Sequence, residues 1–421
     1  YGESAEDTLP AFHKLPANTE EWYMTQQFVA KDGAINFTDA SRTILPSRAK
    51  DFPTISAYLT SLFGAEGFHF LQDNFRFRND YEDTATIPYL QFLTHDIVDN
   101  SSPFMTGYPI GGMSAFTLGM AERAAAAGVQ MFLNDPVLGI DGSSATGGYR
   151  VTTASHSVSG VLNLIVALDP TGLSQVKGTV GKALNAPSYV RDAYPIPVSV
   201  VKMHFTMPWW QTAFNRTNSD VRRVWTTDAC LNYVEIAFND QHEAHNLVRT
   251  VYADGFCAGY WKRIYDQDPT KKLLTRIVLQ QLAQVFQVEA VPEPLDTFYH
   301  YWPNAWYFQH AGAAFDVYQI EDWAQAPLKG ERVALANEGF SKWKAWVRGP
   351  LHSSKKALSA LGLSHPPLYT DSPSMWPGID REGSRRTLQA EGSSGAGALA
   401  AQLSPQQRLK EYVKNGGRRW S

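Results

Sequence analysis

The side chains that could carry chemistry in this chain form two clusters. Lys202 lies inside the alternating run at residues 198–205, which predicts a β-strand, and Pro208-Trp209-Trp210 follows the strand. A lysine inside a strand usually faces solvent, but in a pocket its charge can stabilise negative charge that develops on a ligand. The second cluster is a run of aromatic residues: Phe298, Tyr299, Tyr301, Trp302, Trp306, Tyr307 and Phe308. Such a run predicts a hydrophobic core or the walls around a flat ligand.

Composition and spacing argue against several other kinds of site. The formal net charge is −4, whereas a nucleic-acid surface needs clustered positive charge. The two cysteines, Cys230 and Cys257, allow one disulfide but no disulfide framework. No cysteine or histidine pair has the spacing of zinc ligands. No apolar run reaches about 18 residues, so the sequence predicts no membrane span.

The elements that must position these clusters predict a layered α/β protein. Ser114 has the side chain of an N-cap, and residues 115–127 are strong helix formers. Residues 129–133 and 137–140 predict short strands. The apolar run at 161–168 predicts a strand buried on both faces. Elsewhere the pattern predicts helices over residues 52–75, 87–97, 270–288 and 343–361, and a buried strand over 333–336.

The two ends of the chain differ from its middle. The chain begins at Tyr1 without an initiator Met, which indicates processing or truncation.

Three glycosylation sequons, at Asn36, Asn100 and Asn215, favour secretion or an organellar lumen over the cytosol. Pro, Ser and Gly dominate residues 365–397, which predicts a tail that wraps another surface or has no fold of its own.

Four stretches, taken in chain order, resemble the flavin-containing amine oxidase family, and most of all its L-amino-acid oxidases. They are residues 110–140 with a Gly-Gly-Met turn, 164–170 with an Asp-Pro stop, 202–228 with Pro-Trp-Trp and Thr-Thr-Asp, and 336–349 with Asn-Glu-Gly and Ala-Trp-Val. The resemblance implies an α/β, amine-oxidase-like fold in which a partial dinucleotide-binding domain is interleaved with a mixed-sheet substrate domain.

The resemblance also implies a division of the chain. Residues 110–175 and 330–361 would form the remnant of the FAD-binding domain, and residues 176–329 would form the substrate domain. Residues 1–109 would be a helical N-terminal region of the substrate domain, and residues 362–421 would be a C-terminal extension.

Four residues would contact FAD if the resemblance holds. Val137 falls where the family contacts the adenine end, and Glu338 falls near the ribose and pyrophosphate. Trp346 would flank the flavin ring. The backbone N–H of Val347, at a helix start, would face the electron-rich pyrimidine oxygen.

The same resemblance implies a catalytic residue and a substrate site. Lys202 falls where the family has a lysine that holds a water beside flavin N5, so it is the predicted catalytic residue. Tyr233, Trp302 and Trp306 are the predicted substrate contacts. The substrate would be a small amine or amino acid, whose hydride passes to the flavin before peroxide is released.

The sequence departs from the family pattern at several points. No Gly-x-Gly-x-x-Gly fingerprint for the FAD pyrophosphate is present in the 421 residues. Asn337 and Ala345 stand where the family has glycine, and Arg348 replaces a glutamate. The arginine and tyrosine that bind substrate carboxylate in L-amino-acid oxidases are replaced by Asn232 and Glu235, and a carboxylate at that place would repel a carboxylate substrate.

Three hypotheses follow, and the sequence leaves open whether the chain is an enzyme. The first is an FAD-dependent amine or L-amino-acid oxidase that is completed by a separate N-terminal fragment or a partner chain. The second is a catalytically inactive, amine-oxidase-like scaffold subunit of a larger assembly. The third is a polyamine or carotenoid-type oxidoreductase of the wider family, which would fit a substrate without a carboxylate.

Overall fold

The computed structural model describes residues 47–74, 83–92, 114–211, 223–226, 230–238, 244–313 and 315–363. The Gly-Gly-Met turn, all three sequons, the Thr227-Asp228 pair and the tail beyond residue 363 lie outside these residues. The described helices are α1 (Ile55–Asn74), α2 (Ser114–Ala126), α3 (Pro170–Ser174), α4 (Gly178–Asn185), α5 (Ser188–Arg191), α6 (Gly255–Gln267), α7 (Lys272–Phe286), α8 (Val317–Gln325) and α9 (Arg348–Ala360), and residues 86–92 are also helical.

The described strands form three sheets. They are β1 (Val137–Ser143), β2 (Gly148–Thr153), β3 (Ser157–Val161), β4 (Leu164–Val166), β5 (Ala193–His204), β6 (Arg223–Trp225), β7 (Tyr233–Phe238), β8 (Ala244–Asp254), β9 (Asp296–Gln309) and β10 (Val333–Leu335). Strands β1, β2 and β3 form an antiparallel meander, β4 pairs with β10, and the largest sheet has the order β6-β7-β8-β5-β9.

The five-stranded sheet is antiparallel throughout and is covered on both faces. Because side chains alternate along a strand, β5 sends Val201 and Met203 to one face and Val198 and Val200 to the other. The first face packs on α6 and α7 in a core that includes Trp261. The second face packs on α1 and the helical residues 86–92.

A disulfide closes the first of these cores. Cys230, just before β7, is bonded to Cys257 in the first turn of α6. The indole N–H of Trp261 donates to the carbonyl of Cys230 at 2.5 Å. The bridge and this hydrogen bond together tie α6 to the residue that leads into β7.

The two-stranded sheet is parallel and joins distant parts of the chain. Val333 pairs with Leu164, and Leu335 pairs with Val166. Helix α9 packs on one face, whereas α4, α8 and the β1–β3 meander cover the other. Burial on both faces is what an uninterrupted apolar strand sequence predicts.

The structure corrects three predicted elements. The strand predicted over residues 161–168 is confined to Leu164–Val166, because Val161 ends β3 and Leu162 is 66% exposed. Residues 129–133 are not a strand: Met131 is 47% exposed and Leu133 81% exposed, and no described strand lies beside them. The helix predicted from residue 343 begins only at Arg348, because Ala345 adopts a left-handed φ of 61° that interrupts a helix. Pro350 then falls in the first turn, where the missing proline N–H is tolerated.

Two kinds of site are absent from the part of the chain that the structure describes. None of its helices combines the length and apolar character needed to cross a membrane. Within the same residues, no cluster of three or more His, Cys, Asp or Glu side chains could hold a metal ion.

Candidate functional site

A cleft of about 350 Å³ opens on one face of the five-stranded sheet. Strand β5 contributes every second residue to it, as the alternation of side chains along a strand requires. The cleft is lined by Val198, Val200, Lys202, Arg249, Tyr252, Trp302, Ala305, Trp306 and Ala345. The structure therefore brings together three residues predicted from sequence, Lys202, Trp302 and Trp306, while their roles remain predictions.

A β-bulge directs Arg249 into the cleft. Val201 pairs with Val251, but the next residue of β5, Lys202, pairs with Arg249, so Thr250 is an extra residue on β8. Its hydroxyl donates to the carbonyl of Val201 at 3.3 Å, which satisfies an acceptor at the irregularity. A bulge shifts the alternation of its strand by one, and this places both Arg249 and Tyr252 on the cleft side.

A wider irregularity in β9 shapes the aromatic walls. Ile196 pairs with Trp306 and Val198 pairs with Trp302, so β9 is locally longer than β5. Trp306 is buried, whereas Trp302 is 41% exposed. Trp306 therefore forms an inner wall of the cleft, and Trp302 forms part of its opening.

Four charged residues lie in register across the sheet: Arg223 of β6 pairs with Glu235, and the row continues through Arg249 to Lys202, the last two of which line the cleft. Glu235 of β7 pairs with Arg249 of β8, and Arg249 pairs with Lys202 of β5. Arg249 Nη1 lies 3.0 Å from Glu235 Oε2, and the guanidinium sits 4.8 Å from the centroid of the Tyr252 ring. Among the described residues, Lys202 has no hydrogen-bond or ion-pair partner. These four residues carry three positive charges and one negative charge.

Tyr233, a predicted substrate contact, lies behind the cleft rather than in its lining. It is buried, and its ring centroid is 6.3 Å from that of Tyr252. Its hydroxyl donates to Glu235 Oε1 at 3.1 Å. The structure therefore connects Tyr233 to the lining through Glu235 and Tyr252.

The cleft adjoins the edge where the two parallel strands end. Residues that follow the carboxyl ends of β4 and β10 meet at one edge, which is where α/β sheets commonly bind ligands. Asp169 follows β4 and caps α3 by accepting from the N–H of Gly172 at 2.5 Å. Glu338 follows β10, and its carboxylate accepts from the N–H of Tyr307 at 2.9 Å and from that of Ala345 at 3.0 Å.

These two bonds join the edge to the cleft. Tyr307 follows the cleft residue Trp306 in β9, and Ala345 itself lines the cleft. The Tyr307 hydroxyl also donates to Thr171 Oγ1 at 2.7 Å, next to Asp169 and Pro170. The predicted FAD residue Glu338 is therefore one backbone contact away from the pocket that holds Lys202.

Burial sets the protonation of the groups at this edge. Burial raises the pKa of Glu338 to about 7, although the positive charge of Lys344 and the two backbone N–H groups act in the opposite direction. Burial also lowers the pKa of Lys344 to about 8, against the attraction of Glu338. Lys344 donates to the carbonyl of Gly339 at 2.7 Å and so holds the turn that carries Glu338.

Asn337 and Ala345, which stand where the family has glycine, strain the backbone to different degrees. Asn337 is extended, with φ of −159°, and its side chain caps the following turn, so glycine is not required. Ala345 has a φ of 61°, which glycine adopts at lower cost. Gly349 is required because a Cβ there would lie 2.1 Å from the carbonyl oxygen of Trp343 and 3.0 Å from Cβ of Glu338.

The other predicted FAD residues lie outside the cleft lining. Trp346 is 51% exposed and Val347 is 69% exposed at the start of α9. Val137 is half-buried at the beginning of β1, where it pairs with Thr153 and packs on the core beneath the meander. Their contacts with FAD remain predictions.

The described residues fit the flavin end of FAD better than its diphosphate end. The cleft offers aromatic walls and a lysine without a partner, and Gly349 lets the first turn of α9 approach Glu338 closely. Such a helix start offers backbone N–H groups to an electron-rich ligand atom. The glycine-rich cradle for a pyrophosphate is missing from the sequence.

Sequence reasoning missed Arg249 and Tyr252. The available signal was an arginine inside the mostly apolar run at residues 247–252. Regular alternation would place Arg249 on the face opposite Tyr252. Only the bulge at Thr250 puts the two on the same face, and bulges leave little trace in a sequence.

Comparison with known proteins identifies the fold. No family model matches the sequence, and no curated protein matches it. Among solved structures, the chain is similar to cyclohexylamine oxidase from Brevibacterium oxydans IH-35A, with 13% identity, a TM-score of 0.57, and coverage of 83% of this chain and 75% of that chain. A likeness at this identity shows the fold alone. The predicted fold class is confirmed: the chain has the mixed α/β fold of an amine oxidase.

Proposed function

We propose that this chain is the substrate-binding and partly cofactor-binding portion of an FAD-dependent oxidase that acts on amines or amino acids and releases peroxide. The observation that carries the proposal is the position of Lys202, without a partner among the described residues, in an aromatic-walled cleft joined to Glu338. The fold shared with cyclohexylamine oxidase supports an oxidoreductase that acts on a carbon–nitrogen bond. Closeness to L-amino-acid oxidases belongs to the proposal.

The residues of this chain would position the reactants. FAD, when bound, would supply a hydride acceptor and pass the electrons on to oxygen. Trp302 and Trp306 would hold the apolar body of the substrate and exclude water from it. The Lys202 ammonium would hold a water and stabilise negative charge that develops beside it. The Glu338 carboxylate has lone pairs beyond the two already bonded and could accept from ribose hydroxyls.

We further propose that a separate N-terminal fragment or a partner chain completes the FAD site. The α2 face, defined here as the exposed apolar side chains of α2 and residues 129–133, supports this partner. These side chains are Phe116, Leu118, Met120, Val129, Met131, Phe132 and Leu133. So many exposed large apolar side chains on one helix and the segment after it are more typical of a protein contact than of an ordinary solvated surface.

The second candidate function is a catalytically inactive scaffold subunit. Ala345 holds a strained backbone where the family has glycine, and Trp346 and Val347 are largely exposed. Together with the missing fingerprint, these features would suit a protein that has kept the fold and lost the cofactor. In that case the α2 face would serve assembly alone.

We also propose a secreted or organellar-lumen location. The Cys230–Cys257 disulfide supports an oxidising compartment, since such bonds are rare where thiols are kept reduced. Peroxide chemistry outside the cytosol would be consistent with the same location.

An absorbance spectrum separates the two candidate functions. Native material should show the near-ultraviolet and visible bands of an oxidised flavin, and denaturing mass spectrometry should reveal a second polypeptide. Colourless protein that contains a second chain would support the scaffold. Colourless protein of a single chain that does not bind added FAD would overturn the oxidase proposal and its partner together.

Lys202→Met is the sharpest single change for the oxidase. We expect flavin to stay bound while its reoxidation by oxygen slows by about 10–1,000-fold, because removing one electrostatic contribution at a reacting centre has effects of this size. Stopped-flow absorbance of the reduced protein measures this rate. Lys262→Met changes an exposed lysine on α6 and serves as the matched control. An unchanged reoxidation rate would remove Lys202 from the mechanism.

A further inference from the structure

We infer that the cleft recognises a ligand with a carboxylate on a flat apolar body, and that Arg249 is the residue that binds the carboxylate. This inference rests on the proposed function for the location of the site, and it deepens that proposal by naming the substrate class. Arg249 lies in β8, and the sequence resemblance gives no role to it.

The charge row beneath the cleft is the first argument. Lys202 and Arg249 are cross-strand neighbours, and like charges side by side in a sheet are destabilising unless something offsets them. Glu235, the next residue in the row, forms an ion pair with Arg249 and lies in register between Arg249 and Arg223, so one carboxylate faces three cations. The remaining positive charge faces a partly enclosed cleft, where an anionic ligand would balance it.

The geometry of Arg249 is the second argument. A guanidinium has five N–H donors, and the contact with Glu235 is through Nη1 at 3.0 Å. The Tyr252 ring holds the plane of the group in place. The side chain of Arg249 is 31% exposed, so its remaining donors are open to a ligand in the cleft. A rigid, planar donor group of this kind suits bidentate binding of a carboxylate.

The bulge at Thr250 is the third argument. Without the extra residue, Arg249 would point to the opposite face of the sheet, towards the core that contains Trp261. Bulges recur beside functional sites, where they redirect a side chain. The orientation of Arg249 is therefore a specific product of the backbone and not an accident of a long flexible side chain.

The fourth argument concerns Glu235, whose negative charge is compensated by the groups around it. A free carboxylate there would repel a carboxylate ligand. In the structure Glu235 accepts from both Arg249 and Tyr233, and it is not among the cleft-lining residues. Arg249 stands between Glu235 and Lys202 in the row, so it separates the glutamate from the cation-lined part of the cleft.

The test compares three aromatic probes of similar shape on the full chain as isolated. Benzoate, benzamide and benzylamine differ chiefly in charge, and isothermal titration calorimetry measures their dissociation constants without any need for flavin or turnover. We expect benzoate to bind at least tenfold more tightly than either of the other two. Equal binding of all three, or a preference for benzylamine, would overturn the inference.

Variants locate the source of the preference. Arg249→Met should weaken benzoate binding by about 10–100-fold, the range expected for a charge-assisted hydrogen bond, and should leave benzamide unchanged. Glu235→Gln should strengthen benzoate binding by about threefold, because a competing acceptor and a nearby negative charge are both removed. A purely structural ion pair between these residues would not strengthen binding when Glu235 is neutralised.

Two further variants keep the test decisive. The double variant Arg249→Met/Glu235→Gln leaves no buried charge unpaired, so it answers the question if Arg249→Met alone fails to fold. Arg263→Met alters an arginine that lies over the exposed Phe256 ring on α6 and should bind benzoate as the parent does. If Lys202→Met abolishes the benzoate preference while the double variant keeps it, Lys202 is the anchor and the inference fails.

The same measurements separate this inference from the oxidase proposal. Benzoate preference in a protein that never binds flavin would support the carboxylate site and contradict the oxidase. Flavin binding together with a preference for benzylamine would support an amine oxidase and contradict the carboxylate site.

Discussion

The five-stranded sheet and helix α2 differ in how completely they are covered. Helices α6 and α7 close one face of the five-stranded sheet, and α1 closes the other. Helix α2 has no buried residue, although it carries several large apolar side chains. The sheet that bears the cleft is therefore covered by its own chain, whereas α2 and the residues after it present apolar side chains suited to a further contact.

This difference shows that apolar patterning predicts burial without saying which molecule provides it. Residues 129–133 have the composition of a buried strand and are exposed in this chain. Their sequence is explained if the surface they form is covered by another polypeptide segment. The following predictions test whether the two regions differ in stability and in dependence on a partner.

Trp261→Ala should have the largest effect, because this side chain is fully buried in the closed core and donates to Cys230. We expect a loss of about 3–5 kcal/mol in the free energy of unfolding. Urea unfolding followed by circular dichroism measures it. Trp261→Phe keeps most of the volume and should cost clearly less. Equal losses in the two variants would show that the hydrogen bond, rather than packing, dominates.

Removal of the disulfide should come next in size. The Cys230→Ser/Cys257→Ser double variant should lose about 3 kcal/mol, since the bridge joins residues 27 apart in sequence and restricts the unfolded chain. Reductant should destabilise the parent protein by a similar amount and leave the double variant unaffected. A parent protein that is indifferent to reductant would show that the bridge does not stabilise the closed region.

Acid should weaken the contact between α8 and α9 beside the parallel pair. Burial alone would raise the pKa of Glu321, but the His352 ring nitrogen 3.6 Å away and hydrogen bonds from the Lys342 N–H and the Lys356 ammonium outweigh it and lower the pKa to about 2. The stabilisation is therefore complete above the ordinary value of 4.5 and is lost as the pH falls towards 2. We expect this single group to account for about 2–3 kcal/mol of that loss.

A pair of variants isolates the acid effect. Glu321→Gln should flatten the dependence of unfolding free energy on pH between neutrality and acid, at the cost of lower stability at pH 7. Glu289→Gln, an exposed carboxylate just beyond α7, should keep the profile of the parent. A steep acid loss that survives in Glu321→Gln would assign it to other groups.

Leu118→Ser should have the smallest effect in the isolated chain. The side chain is 61% exposed on the α2 face, and exposed substitutions usually change stability by less than about 0.5 kcal/mol. Leu274→Ser, in the buried core under α7, is the matched change in the closed region and should be strongly destabilising. If the proposed partner chain is present in native material, Leu118→Ser should weaken the association seen by sedimentation. Unchanged association would place the partner elsewhere.

The cleft could be predicted from the sequence only where local patterns hold without interruption. Alternation along residues 198–205 predicted a strand with Lys202 inside it, and the structure has the longer strand β5 there, with Lys202 on the same face as Val198 and Val200. Trp302 and Trp306 were singled out through the family resemblance, and the structure brings both into the cleft lining. The roles of all three residues remain predictions.

Other features depend on tertiary geometry or were overlooked. Arg249 reaches the cleft through an inserted residue whose position is set by pairing with β5 and β7, so the strand pattern alone gives the wrong face. Helix α8 was missed although Asp316 and Gln319 form a capping box, which was a readable signal. Glu338 lies next to the cleft because its carboxylate accepts from the backbone N–H groups of Tyr307 and Ala345. No local sequence pattern predicts these two contacts.

The bonds of Tyr307 also govern how the molecule can move. Strand β9 is paired with β5 along its length, and Tyr307 fastens this strand to Glu338 and to Thr171. These bonds tie the strand that walls the cleft to the edge of the parallel pair and oppose separation of the two. Ligand exchange should then follow rotamer changes of the exposed Trp302 ring, on the picosecond-to-nanosecond scale, instead of a slower domain opening.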